Sequence, residues 1–160
     1  MVPVSDYSAL WAYIKTLESR ITHLFLVDDE SELSKKIEEL SDLDVCMVFV
    51  FPSADQVAPD EDNISDVDTC IIYILQKVEP RNMNDSDLMT ERILTQNVMN
   101  SIRSIMLDIS TTHSMGVYHR ILKNLIRGKQ HIDRERNYMG CNGYSLSFGI
   151  RTLEFSNISY

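Results

Sequence analysis

The sequence predicts an α/β (α+β) fold in which helices flank a mixed, mostly antiparallel sheet that ends in a C-terminal β-hairpin. Two apolar runs, at 45–51 and 67–78, are rich in β-branched and aromatic residues, as is typical of strands covered on both faces. A third segment, 144–151, alternates strictly, with apolar residues at even positions. This alternation indicates a strand with one dry face and one face that meets water or another subunit.

The N-terminal part alternates helix and strand. Ser5 or Asp6 can cap a first helix, whose apolar residues recur at helical spacing: Tyr7, Leu10, Trp11, Ile14, Leu17 and Ile21. We interpret Trp11 as a core residue, because it lies within this stripe. A short strand is predicted at 23–27.

A second helix is predicted to begin at Ser31, with Leu33, Ile37 and Leu40 on its inner face. Three carboxylates precede it, at 28–30. We interpret them as partners of the N-terminal helix dipole and not as a metal cluster. The first central strand, 45–51, then stops at Pro52.

The segment 53–66 is predicted to be a solvated acidic loop of the kind that often carries function. Its candidate interaction residues are Asp55, Asp60, Glu61 and Asp62. An EF-hand calcium loop needs a central glycine and a glutamate at its twelfth position, which this segment does not offer.

The longest helix is predicted at roughly 86–109. Its apolar stripe consists of Leu94, Val98, Ile102, Ile105, Met106 and Ile109, whereas Glu91 and Arg92 are placed off that stripe. A shorter helix is expected at 117–126, before Gly128. The polar stretch 129–138 departs from the usual pattern of a strand, and Asn142-Gly143 is predicted to form the hairpin turn within 139–143.

Length and composition narrow the class of protein. The 160 residues are predicted to form a single domain, 1–160. A net charge of −9 argues against direct binding of nucleic acid or of an anionic membrane. We expect no signal peptide and no transmembrane segment, and the odd count of three cysteines does not suit a secreted disulfide framework.

No catalytic, cofactor or metal motif is evident, so we expect a protein that is not an enzyme and carries no cofactor. Cys46 and Cys70 lie within apolar runs, which leaves Cys141 as the one candidate for a reactive thiol. His113 and His119 are six residues apart, which is not the spacing of two ligands on one helix face.

Basic residues concentrate at 120–136 in an otherwise acidic chain. They form either a solvated helix and hairpin edge or a surface of complementary charge to the acidic loop of a neighbouring copy. The candidate residues are Arg120, Lys123, Arg127, Arg134 and Arg136. Tyr144 and Phe148, on the last strand, complete the predicted interaction surface. Contacts of this heterologous kind can close into rings.

The order of elements, ending in G-x-x-G-Y-S-L-S-F-G-I at 140–150, resembles small tailed-phage proteins of the tail-completion or tail-terminator family and the neck proteins that join head to tail. The resemblance implies an α/β subunit of a homo-oligomeric ring, without catalysis, whose partners are its own copies and other tail or neck proteins. It also implies assembly in the host cytoplasm and a place in the virion.

Two alternatives stay open. One is a monomeric adaptor or regulatory protein that binds another protein through the edge of its sheet. The other is a small enzyme with a ligand or metal bound at Cys141, His113 or His119.

Overall fold

The computed structural model describes residues 2–52, 54–57, 65–78 and 84–152. Its helices are α1 (Val4–Leu17), α2 (Glu30–Glu38), α3 (Asp85–Thr111) and α4 (Val117–Leu122). Its strands are β1 (His23–Val27), β2 (Val45–Val50), β3 (Ala54–Val57), β4 (Ser65–Lys77), β5 (His131–Tyr138) and β6 (Cys141–Arg151). Short 3-10 turns lie at His113–Met115 and Arg127–Lys129.

The strands form one six-stranded sheet in the order β1-β2-β4-β6-β5, with β3 also paired to β4. β1 and β2 are parallel and are connected through α2, whereas the other pairs are antiparallel. The predicted class, a mixed and mostly antiparallel sheet with helices and a C-terminal hairpin, is therefore confirmed. The two apolar runs are neighbouring central strands, as expected.

One face of the sheet is covered by α1, α3 and α4. Trp11 is fully buried there, with its ring 4.9 Å from that of Phe49 and 6.1 Å from that of Phe148. The prediction that Trp11 is a core residue is confirmed. The stripe predicted for α1 is wrong at its end, because the helix stops at Leu17, which is 49% exposed, and Ile21 is buried from the loop that follows.

The opposite face of the sheet is covered in part by α2. Leu33 and Ile37 pack there against Cys46, Val48 and Leu75. Asp29 caps this helix, because its side chain accepts hydrogen bonds from the backbone N–H groups of Ser31 and Glu32. The interpretation of the carboxylates at 28–30 as helix-start residues is confirmed at Asp29.

The predicted loop at 53–66 is wrong in its first and last residues. Ala54–Val57 forms β3, which pairs with Ser65–Asp68 of β4. These four residues form a strand because they continue the β2–β4 hairpin past Pro52, where β4 supplies the hydrogen bonds that their own pattern does not predict. Asp60, Glu61 and Asp62 lie outside the described residues.

The turn predicted within 139–143 is confirmed at Met139 and Gly140, but its expected centre at Asn142-Gly143 is wrong, since both of those residues lie within β6. Tyr138 pairs with Cys141, and the two residues between them, Met139 and Gly140, have φ values of 52° and 79°. Positive φ at both positions of a two-residue loop matches the right-handed twist of the strands. The polar stretch before this turn is β5, an edge strand, where polar side chains are well tolerated.

We expect Gly140→Ala to lower the free energy of unfolding by about 1 kcal/mol, because alanine is strained at a φ of 79°. Urea denaturation monitored by circular dichroism measures this loss. Gly128→Ala is the matched control, since a Cβ there meets no atom within 4 Å and its φ is not positive. Equal stability of the two variants would contradict the prediction.

Candidate functional site

A cavity of about 680 Å³ lies between the N-terminal part of α3 and the β5–β6 hairpin. Three groups of residues line it: apolar side chains, three arginines, and a smaller set of other polar groups. The apolar side chains are Val78, Leu88 and Met89, the arginines are Arg92, Arg134 and Arg136, and the other polar residues are Asp85, Asn137 and Asn142. Because all of them extend from α3 or from the adjoining strand ends, regular secondary structure fixes their positions.

An ion pair joins the two walls of this cavity. Arg134 Nη2 lies 2.7 Å from Glu91 Oε2, and Arg134 Nη1 lies 3.2 Å from Glu91 Oε1. Arg134 Nη1 also donates to the carbonyl oxygen of Gly143 at 3.0 Å, and the guanidinium lies over the ring of Tyr144, 5.0 Å from its centroid. Glu91 is only 3% exposed, so the pair ties α3 to β5 and β6 from inside.

This arrangement corrects two sequence predictions. Glu91 does not point to solvent, and Arg134 is not a free cation for an outside partner, since a buried carboxylate neutralises it. The sequence did carry a signal: Glu91 lies seven residues before Val98 and therefore on the buried face of α3. A charged residue on an apolar stripe indicates a buried partner.

Arg92 and Arg136 differ from Arg134. Both are exposed, and neither side chain forms a hydrogen bond or ion pair with any residue of the described part of the chain. Among the described lining residues Asp85 is the one carboxylate, so those residues together carry a net positive charge, in a chain of net charge −9. Leu88 and Met89, 41% and 53% exposed, add an apolar surface beside them.

The other basic residues lie elsewhere. Arg120 Nη2, on α4, lies 3.8 Å from Asp6 Oδ2, on α1. His119, also on α4, contacts the carbonyl oxygen of Ile109 near the C-terminal end of α3. Along α3, Glu91 lies about 27 Å from Ile109, at a rise of 1.5 Å per residue. The predicted basic region is therefore split: Arg120, Lys123 and Arg127 belong to the far end of α3, and Arg134 and Arg136 to the cavity.

Tyr144 and Phe148 are not surface residues, so placing them in an interaction surface was wrong. They are 8% and 1% exposed and pack in the core beneath the helices. The opposite face of β6 is not wet as predicted either, since Gly143, Ser145 and Gly149 are buried. Such small residues lie close to the neighbouring strands, and Ser145 donates a hydrogen bond to Glu135 at 2.7 Å.

The three thiols are all buried. Burial raises the pKa of Cys46 and Cys70 to about 12 and that of Cys141 to about 11. Cys141 lies in β6, and its side chain belongs to the apolar cluster on the face of the sheet that α2 covers. At neutral pH these groups are protonated and therefore poor nucleophiles.

Although they are six residues apart, His113 and His119 lie together. The turn at Gly116, with a φ of 57°, brings their rings to 4.5 Å between centroids. His119 Nδ1 is 3.1 Å from the carbonyl oxygen of Ile109. Across residues 2–152, with the gaps given above, no group of three or more His, Cys, Asp or Glu side chains is arranged to hold a metal ion.

A further buried polar cluster lies at the start of β4. Asp68 is fully buried and accepts hydrogen bonds from the Val2 backbone N–H at 3.1 Å and from the Tyr7 hydroxyl at 2.9 Å. Burial raises the pKa of Tyr7 well above its usual range, and the neighbouring Cys70 and Asp68 add to the effect. This cluster attaches the N-terminus and α1 to the sheet.

The fold and the site define an α/β protein with an arginine-lined cavity at one end of its sheet. No helix in the described part of the chain has both the length and the apolar character needed to cross a membrane. No protein-family model matches the sequence, and no curated protein matches it.

Proposed function

We propose that this chain is a non-enzymatic virion assembly protein of a tailed phage or prophage, acting as a tail terminator or head–tail connector subunit in a homo-oligomeric ring. Its partners in this role are its own copies and other tail or neck proteins. It would assemble in the host cytoplasm and remain in the virion. The function consists of protein–protein contacts alone.

The β3–β4 ladder is the observation that carries this proposal. β6 pairs with Val67–Lys77 and β2 pairs with Ile71–Gln76, so among the described residues only β3 lies beside residues 65 and 66 of β4. Within the described part of the sheet, the β3–β4 ladder thus continues past the other strands. Along the described residues, no strand pairs with the other edge of β3. A two-stranded ladder is only marginally stable by itself, so a second subunit that packs against it would stabilise it.

Edge strand β1 favours the second candidate, a monomeric adaptor. Its residues Leu24, Phe25 and Leu26 are half-buried on a sheet edge where a partner strand can add. Lys36 Nζ lies 3.4 Å from the carbonyl oxygen of Leu26 and covers part of this edge. Lysine at an edge is a feature that discourages strand addition, which makes β1 the weaker interaction surface.

We expect the purified chain to form a discrete closed oligomer whose mass is a whole multiple of the 18.5 kDa chain. Light scattering after size exclusion, across a range of protein and salt concentrations, measures this mass, and negative-stain microscopy shows whether the particle is a ring. The urea-dissociated chain calibrates the monomer. A chain that stays monomeric under all these conditions, and also with purified tail tubes added, would contradict ring assembly and favour the adaptor.

A further inference from the structure

We propose that the arginine-lined cavity of one copy binds the acidic segment 55–62 of a neighbouring copy. The inference rests on the proposed ring assembly and names the contact that forms it. Val57 and Ser65, the described residues on either side of 58–64, lie at the opposite end of β4 from the cavity, so the contact would run head to tail.

The charges of the two surfaces are complementary. Arg92 and Arg136 are exposed and have no carboxylate partner among the described residues, and Arg134 is already neutralised by Glu91. The segment 55–62 contributes four carboxylates within eight residues: Asp55, Asp60, Glu61 and Asp62. A guanidinium group recognises a carboxylate through two parallel hydrogen bonds, which is the chemistry that this pairing requires.

The apolar parts of the two surfaces also correspond. In the segment, Val57, Ala58 and Pro59 immediately precede the acidic triplet 60–62. In the cavity, the exposed side chains of Leu88 and Met89 lie on the same helix as Arg92. The apolar residues of the segment would therefore pack against Leu88 and Met89 while its carboxylates meet Arg92. Burial of the apolar groups adds to the attraction.

The segment cannot reach the cavity of its own copy. It joins Val57 to Ser65, which are paired at the start of β4, whereas the cavity begins at Val78, directly after the end of β4. The 13 residues of β4 span about 40 Å at 3.3 Å per residue. Seven connecting residues that return to their starting strand extend at most about 13 Å from it. The acidic residues can therefore meet this cavity only on another copy.

The geometry of the subunit makes this contact repeat. Each copy offers an acidic segment at one end of β4 and a cavity at the other, so every contact leaves one free segment and one free cavity. Association of this heterologous kind continues until the rotation between copies closes a ring. It also explains how a chain of net charge −9 can associate with itself, because the contact joins opposite local charges.

The cavity is held in place before any partner binds. The Glu91–Arg134 pair joins α3 to β5, and Asn142 Oδ1 accepts a hydrogen bond from the Asn137 backbone N–H at 2.8 Å. Arg136 lies on β5 between these two contacts. Since these contacts fix the backbone of the walls, the conformational entropy lost on binding is that of the arriving segment and of the Arg92 and Arg136 side chains.

Charge reversal tests the contact. We expect Arg92→Glu/Arg136→Glu to lose the oligomer, and Asp60→Lys/Glu61→Lys/Asp62→Lys to lose it as well. An equimolar mixture of the two variants should restore assembly, because each reversed cavity meets a reversed segment and each native cavity a native one. Arg127→Glu/Lys129→Glu is the matched control, with the same change of charge outside the cavity, and should assemble normally.

A peptide of sequence 54–65 provides a readout that does not depend on ring formation. The receptor is the Asp60→Lys/Glu61→Lys/Asp62→Lys chain, whose native cavity has no acidic segment to fill it. We expect fluorescence anisotropy to show binding that weakens as salt rises. Adding Arg92→Glu/Arg136→Glu to the receptor should weaken binding at least tenfold, and the Arg127→Glu/Lys129→Glu pair should not.

The outcomes separate the two proposals. Normal rings from the cavity variant, or a peptide that does not bind, would overturn the cavity contact and leave ring assembly standing. Peptide binding that depends on Arg92 and Arg136, in a chain that forms no ring, would support the cavity as a binding site for acidic segments and overturn the ring.

Discussion

Replacing Gly143 with alanine is expected to lower the free energy of unfolding by about 3 kcal/mol or more. A Cβ at this position would overlap the carbonyl oxygen of Ile74 and would lie 2.9 Å from the Leu75 Cα atom. Both are backbone atoms of β4, so no side-chain rotation relieves the overlap. To make room for the Cβ atom, β4 and β6 would have to move apart, and both strands lie inside the sheet.

The same change would disturb the cavity, because the carbonyl oxygen of Gly143 accepts a hydrogen bond from Arg134 at 3.0 Å. Thermal and urea denaturation measure the loss of stability. Gly149→Ala, in the same strand, is the control: its Cβ would lie 3.2 Å from the ends of the Ile126 and Val67 side chains, which can move. We expect it to cost about 1 kcal/mol or less. Similar values for the two variants would show that β6 is not held as closely to β4 as the structure has it.

Arg134→Met is expected to cost about 3 kcal/mol, because it leaves the Glu91 carboxylate buried without its cation. The Glu91 side chain is 2% exposed, and Thr95, whose hydroxyl lies 3.1 Å from Glu91 Oε1, is then its remaining side-chain partner. Replacing both members, Glu91→Leu/Arg134→Met, should recover most of the loss, since two apolar side chains then fill the site without a buried charge. A double-mutant cycle in urea measures the coupling between the two residues.

Glu32→Ala provides the comparison for this cycle. Glu32 and Lys36 also form a close ion pair, 2.8 Å long, but their side chains are 44% and 35% exposed. Such an exposed pair contributes little to stability and is weakened by salt. If Arg134→Met cost no more than Glu32→Ala, the buried pair would not connect α3 to the hairpin in solution.

The sequence predicted best the strands whose own residues favour a buried strand. β1 has its predicted bounds, and β2 and β4 were recognised because their apolar runs are buried on both faces. β3 was missed and β5 was left open, because strands without an apolar pattern of their own obtain their structure from neighbouring strands elsewhere in the sequence. The turn at Met139-Gly140 was misplaced because Asn142-Gly143 is the stronger local signal, and pairing of Tyr138 with Cys141 overrides it.

The candidate site was harder to predict than the fold. The cavity depends on Glu91 meeting Arg134 across 43 residues, a contact that no local pattern shows. The basic residues at 120–136 do not form one surface. Arg120, Lys123 and Arg127 lie on α4 and in the turn after it, near the C-terminal end of α3, whereas β5 places Arg134 and Arg136 at the cavity. Only Arg136 of the predicted basic residues lines the cavity without a carboxylate partner among the described residues. Arg92, which had been placed off the apolar stripe of its helix, lines the cavity as well.

The central position of β6 has a consequence for synthesis of the chain on the ribosome. β4 finds β2 soon after it is made, but its other edge, from Val67 to Lys77, waits for β6, which follows α3 and almost every other element. Until then the nascent chain exposes an eleven-residue unpaired edge. The sheet is therefore complete only after β6 has left the ribosome, and long-range pairing of this kind is slow. A truncated chain that stops before Cys141 would keep this edge open and would be prone to aggregate.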